Sequence, residues 1–117
     1  MTSRELEQMV SYFVRYDGRS ADPDGFLRHY RTEHAHLLHR FDGIQGLTLH
    51  TPVDWTDPYP VQKGSLSLLA QMTFDSIEAL NRGLVSDARR IARRDFENFP
   101  DFDGKIYHQA LKAEKIF

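Results

Sequence analysis

The sequence predicts an α+β domain with the element order β-α-β-β-α-β. Three observations carry that expectation. Residues 44–51 and 65–74 alternate apolar and polar side chains with the period of a strand. Met9–Tyr16 is short and rich in β-branched and aromatic residues, again strand-like. Helix-start signals follow at Asp22-Pro23-Asp24 and at Asp75-Ser76-Ile77-Glu78.

In order, the first strand is expected over Met9–Tyr16 and ends at the turn-like pair Asp17-Gly18. Asp22 serves as N-cap, Pro23 as first helical residue and Asp24 as a first-turn acid, for a helix reaching about Phe41 and stopping near Gly43. The second strand is Ile44–Thr51. Pro52–Gly64 holds Pro52, Pro58 and Pro60, so it reads as a long loop, carrying Trp55 and Tyr59. We expect Trp55 to pack against the body of the domain or a partner chain, since an exposed indole on a free loop has no stabilising contact. Ser65–Phe74 is the third strand, with Leu66, Leu68, Ala70, Met72 and Phe74 on one face and Ser67, Leu69, Gln71 and Thr73 on the other. A helix from Ser76 to about Leu84 and another over residues 87–98, capped by Ser86 and ended by Pro100, make a broken second helix. Asp103-Gly104 opens a last strand over residues 105–114.

This order is the ferredoxin-like split βαβ arrangement: a four-stranded antiparallel sheet with helices on one face. Strands one and three carry apolar residues on both faces, so the uncovered face calls for a partner, and a second copy of the chain placed sheet to sheet supplies one.

Composition bounds the function. The chain has 117 residues, which fits one domain over 1–117, and 40% of them are hydrophobic, close to the globular average. There is no cysteine, which excludes disulfides, thiolate catalysis, Cys-ligated zinc and iron–sulfur clusters. A formal charge of −2 gives no field that argues for nucleic acid. No apolar run approaches the ~20 residues of a membrane span. Met1–Gln8 lacks the apolar stretch of a signal peptide, so a cytoplasmic location is the expectation.

On a helical wheel at ~100° per residue, Phe26, Leu27, Tyr30, His34, Leu37, Leu38 and Phe41 fall on one arc. Of His29, His34, His36 and His39, only His34 faces inward, one turn beyond Tyr30. His29 and His36 lie on the flank. His34 is either a core histidine satisfied by a strand carbonyl or by Tyr30, or a general acid or base in a cavity between helix and sheet. A metal is not expected. His34 and His36 point about 200° apart on a helix, and the stretch has no HExxH pattern.

The stretch Phe26-Leu-Arg-His-Tyr30-Arg-Thr-Glu-His34-Ala-His-Leu37 resembles the F-x-x-Y-W-x-x-x-H-A-P-L signature of EthD-like proteins. Ile44-Gln-Gly46-Leu47 is similar to their P-G-L entry into strand two. Met72-Thr-Phe74-Asp-Ser76-Ile-Glu-Ala-Leu80 is similar to their W-F-D-S-x-E-A-L step, and Asp95-Phe-Glu-Asn98-Phe99 to their D-x-x-N-F. The resemblance implies a dimeric α+β barrel, a small-molecule ligand and a homodimer through the sheet face. Relatives of that fold include isomerases, cyclases, monooxygenases and haem-degrading enzymes, many of which need no cofactor. This chain departs from the signature at His36, where the family has proline, at His50, and in the length of the Pro52–Gly64 loop.

Tyr12, His50, Gln71, Tyr107 and His108 are further candidates to line a cavity, either between sheet and helices or between two sheets. Asp95, set among Ala88, Ile91 and Phe99, either orients a histidine or holds the Asn98–Pro100 turn. Arg89, Arg90, Arg93 and Arg94 read as a solvated helix face. Three functions follow. One is a cofactor-independent acid–base enzyme (isomerase, cyclase or lyase) acting on a small apolar carbonyl, lactone or phenolic compound, with His34 moving a proton and Tyr30 hydrogen-bonding or orienting. A second is a non-catalytic ligand-binding accessory protein of a degradation pathway. The third is a monooxygenase or haem-binding protein, for which an inward His34 among Phe and Leu neighbours is poorly placed.

Overall fold

Alternating residues build the sheet, and the helices cover one of its faces. The computed structural model describes residues 9–117; the Met1–Gln8 segment read for a leader lies outside the described residues. The strands are β1 (Val10–Ser20), β2 (Ile44–His50), β3 (Leu66–Phe74) and β4 (Phe102–Lys112). They form a single antiparallel sheet in the order β2-β3-β1-β4. Between β1 and β2 lie α1 (Pro23–His29), a π-helical turn (Tyr30–His34) and α2 (Ala35–Leu38). Between β3 and β4 lie α3 (Ile77–Leu84), α4 (Asp87–Asp95) and a 3-10 turn (Phe96–Asn98). The expected α+β, ferredoxin-like architecture is the one found.

Register fixes the faces. Tyr12 pairs with Met72, Val14 with Ala70 and Tyr16 with Leu68, so these even-numbered residues point together toward the helices. Phe26, Tyr30, Leu38 and Phe41 meet them, and Tyr30, Phe74, Leu68 and Leu80 are the largest fully buried side chains. The opposite face carries Phe13, Arg15, Leu69, Gln71, Tyr107 and Gln109, paired across β3, β1 and β4. It mixes apolar, polar and charged groups.

The cap residues do what their chemistry predicts. The Asp22 side chain accepts from the Gly25 N–H at 3.0 Å, with Pro23 just inside the helix. The Ser76 hydroxyl accepts from the Ala79 N–H at 3.1 Å. Ser76→Ala removes that acceptor and should cost about 1 kcal/mol. In urea the midpoint should fall with an unchanged slope; an unchanged midpoint would show the cap to be idle.

Two expectations need correction. Asp17-Gly18 and Asp103-Gly104 are neither turn nor strand opening. They face each other within the β1–β4 ladder, Gly18 opposite Gly104. Both glycines have positive φ (155° and 148°), and a Cβ on either would run into the backbone of the other strand. A residue pair that usually turns a chain here lets two strands approach, so β1 runs on to Ser20 and β4 begins at Phe102. The first helix is not uniform α-helix to Phe41: it carries the π-turn and ends at Leu38. Within the Pro52–Gly64 loop, Lys63 lies over the Trp55 ring at 4.8 Å and donates to the Trp55 carbonyl at 3.0 Å, with the indole half exposed.

Candidate functional site

The π-turn sets the chemistry of the site. In a regular α-helix residues five apart diverge by about 140°. The wider π-turn, closed by the Ala35 N–H on the Tyr30 carbonyl, brings His29 and His34 to one partner. That partner is Asp95, at the end of α4. Its Oδ2 lies 2.8 Å from His34 Nδ1 and 3.0 Å from His29 Nε2, and its Oδ1 accepts from Asn98 at 3.0 Å. Asp95 therefore fills both roles foreseen for it, orienting a histidine and holding the turn that follows. Phe99 packs against both imidazoles, with ring centroids 4.4 Å from His29 and 5.0 Å from His34.

Burial by itself would raise the Asp95 carboxyl, but hydrogen bonds from Asn98, His34 and His29 outweigh it and hold the group below its ordinary value. An ionised carboxylate only accepts hydrogen bonds, so Nδ1 of His34 donates and carries the proton. Nε2 keeps its lone pair and has no protein partner among the described residues. Burial pushes His34 below the usual histidine value, against the opposing pull of Asp95. The imidazole is thus neutral, oriented and basic at one nitrogen.

A cavity of about 390 Å³ opens beside it, between the helices and the sheet. Its walls are Tyr12, Val14 and Tyr16 of β1, Met72 of β3, Ile106 and His108 of β4, Tyr30, His34, Leu38 and Phe41, and Arg89, Ala92, Arg93 and Phe96. Burial raises Tyr16 to about 12, and burial with the charge and hydrogen bond of Tyr16 raises Tyr30 well above 10.0, so both hydroxyls stay protonated; Tyr30 is hydrogen-bonded to Tyr16, which leaves the Tyr16 hydroxyl to donate. At another wall the Tyr12 hydroxyl lies 2.7 Å from His108 Nδ1 and 3.4 Å from the Arg89 guanidinium. Burial lowers His108 further from protonation, aided by Arg93 and Arg89.

Of the residues singled out in the sequence, Tyr12, Tyr30, His34 and His108 line this cavity. His50 and Gln71 do not. Thr48 pairs with Gln71, and His50 with Leu69, on the face turned away from the helices. There His50 Nε2 donates to Gln71 Oε1 at 2.9 Å, and Gln71 donates to the Ser11 hydroxyl at 3.1 Å. Tyr107 stands on that face too, half exposed. The group orienting His34 is Asp95, while Tyr30 meets the imidazole ring edge-on at a centroid distance of 4.8 Å. Sequence reasoning missed His29, which a uniform helix would turn aside. It also missed Arg89 and Arg93, one turn apart, which line the cavity where Arg90 and Arg94 do not; Arg89 is part-buried there, whereas Arg93 remains exposed. Among the described residues no group of three or more His, Cys, Asp or Glu side chains is placed to hold a metal, and no helix is long and apolar enough to cross a membrane.

Known structures share this architecture. An EthD-family protein from Bacillus halodurans superposes with a TM-score of 0.71 at 20% identity, covering 91% of this chain and 99% of that one. SnoaB, a cofactor-independent oxygenase from Streptomyces nogalater, gives 0.64 at 16% identity over 92% and 95%. A hydroxynitrile lyase from Passiflora edulis gives 0.66 at 13% identity over 95% and 98%. No family model and no curated protein matches the sequence. Its fold is that of the EthD-like, ferredoxin-like α+β proteins, which its four sequence blocks also resemble.

Proposed function

We propose that this chain is a cofactor-independent acid–base enzyme, an isomerase, cyclase or lyase, acting on a small and largely apolar carbonyl, lactone or phenolic compound. One observation carries the reading: His34 is not sealed in the core but lines an open cavity, with Asp95 holding Nδ1 and Nε2 left free. Nε2 takes a proton from carbon beside the substrate carbonyl. The hydroxyl of Tyr16, kept protonated by burial and oriented by the Tyr30 hydroxyl that hydrogen-bonds to it, donates to the oxygen on which negative charge develops. The lyase and the cofactor-independent oxygenase among structures of this fold are consistent with small-molecule chemistry in such a cavity.

The test is α-proton exchange of 2-tetralone, an apolar bicyclic ketone, followed by NMR in deuterium oxide. Exchange faster than buffer that disappears in His34→Asn supports the reading. Bound ketone with no acceleration would move the assignment to the accessory, ligand-binding role.

The sheet face opposite the helices is proposed as a homodimer interface. Phe13 and Leu69 lie there with the half-exposed Tyr107 and Leu111, and one structure of this fold is described as a dimeric protein. Sedimentation at micromolar concentration should show a dimer burying more than ~1,000 Å² in total; a monomer would remove this proposal. The cytoplasm remains the expected location.

The pH dependence has a definite sign. The folded values of His34 and His108 lie below the ordinary 6.5, and that of Asp95 below 3.8. In each case the unfolded chain binds protons first. Stability is therefore full above about pH 6.5 and falls on acidification, first through the histidines and then, below 3.8, through Asp95. Urea melts at pH 7.5 and pH 5 should show the lower midpoint at pH 5, and equal midpoints would contradict the assigned shifts.

A further inference from the structure

Arg89 and Arg93 are one helical turn apart on α4 and both line the cavity. Like charges so placed repel one another. No Asp or Glu is among the lining residues, and neither arginine has a carboxylate partner among the described residues. The neighbouring arginine differs: Arg90 pairs with Asp87 at 3.0 Å. Arg89 is braced, donating to the Leu84 carbonyl at 3.3 Å and to the Tyr12 hydroxyl at 3.4 Å. Arg93 bears on both Tyr16 and His108, on adjoining strands across the cavity. The cavity thus has two unneutralised guanidinium groups at one wall, His34 at another, and apolar and aromatic sides between.

From this arrangement we infer that the cavity takes a carboxylate-bearing aromatic or alicyclic small molecule, its anionic group held by Arg89 and Arg93 and its apolar body directed toward His34. The planar guanidinium fork matches a carboxylate bidentately, which a neutral carbonyl cannot use. The anion also neutralises the pair, so its binding relieves the repulsion. This inference rests on reading the cavity as the small-molecule site and adds the charge of its ligand.

The experiment titrates 1-naphthoate and its neutral isostere 1-naphthamide into the full chain, with affinity read by fluorescence and the His34 ring signals by NMR. The acid should bind at least about tenfold more tightly than the amide, the range expected for a charge-assisted pair. Arg93→Gln should erase that preference by weakening the acid alone. Arg94→Gln makes the same change in net charge on the exposed side of the helix and should leave it intact. Equal affinity of acid and amide, or equal losses in Arg93→Gln and Arg94→Gln, would overturn the anion assignment. Amide binding that perturbs His34 would, in that event, leave the cavity reading standing. Absence of binding by either compound at millimolar concentration would remove both.

Discussion

Replacing His34 by asparagine should lower turnover by roughly 10²–10⁴, the usual contribution of a positioned general base, while the domain should stay folded. The reason is geometric. Asparagine keeps an amide able to donate to Asp95 but has no nitrogen lone pair to present to the cavity. The ring removed is only 8% exposed, so some packing against Tyr30 and Phe99 is lost and a small fall in melting temperature is expected. A large loss of stability with unaltered turnover would make His34 a structural residue and the chain a binding protein. The acid limb of kcat/KM reports the same nitrogen. Activity should decline on acidification with a midpoint below the ordinary histidine value of 6.5, because protonating Nε2 removes the base, and a midpoint that does not coincide with the His34 titration followed by NMR would exclude it.

Asp95→Ala should be the most destabilising single change at the site, costing roughly 2–4 kcal/mol. One carboxylate accepts from His34, His29 and Asn98, and its loss leaves three donors without their acceptor in a largely buried place. Two of those donors lie on the π-turn and its flank, and the third on the 3-10 turn after α4. The mutation therefore loosens the junction between the helical segments as well as the imidazole. Urea unfolding measures the cost. His34→Asn measured beside it separates anchoring from chemistry: Asp95→Ala should lose both stability and turnover, His34→Asn mainly turnover. A loss of less than about 0.5 kcal/mol would mean that water replaces the carboxylate easily and that the cluster does not hold the helices.

The strands were legible because their physics is local. Leu66, Leu68, Ala70, Met72 and Phe74 alternate with smaller or more polar residues, and β3 follows that period over its length. The helix starts at Asp22 and Ser76 were legible for a similar reason, since each cap is a short-range hydrogen bond. The glycine pair was not. Gly18 and Gly104 have meaning only once β1 and β4 are paired, a contact between residues far apart in sequence. The site was half legible. A helical wheel put Tyr30 and His34 inward, as they are. The same wheel assumes a constant turn angle, and the π-turn breaks that assumption between Tyr30 and His34, so His29 was set aside. Arg89 and Arg93 look like Arg90 and Arg94 in composition, and Arg93 is exposed as they are although it lines the cavity. Only the position of α4 over the sheet separates the two pairs. His50 and Gln71 point the other way for the simplest reason: strand residues alternate, and these two occupy the alternate register.

The proposed chemistry requires one nitrogen atom, His34 Nε2, to be unprotonated and turned to the cavity that His34 lines. Long-range nitrogen–proton NMR of the full chain, labelled at histidine, reads that atom without a substrate. The structure predicts the Nδ1–H tautomer for His34 at pH 7.5, titration below the ordinary 6.5, and a shift of the Nε2 signal when 1-naphthoate is added. A dominant Nε2–H tautomer, or an Nε2 signal indifferent to a ligand bound in the cavity, would contradict it.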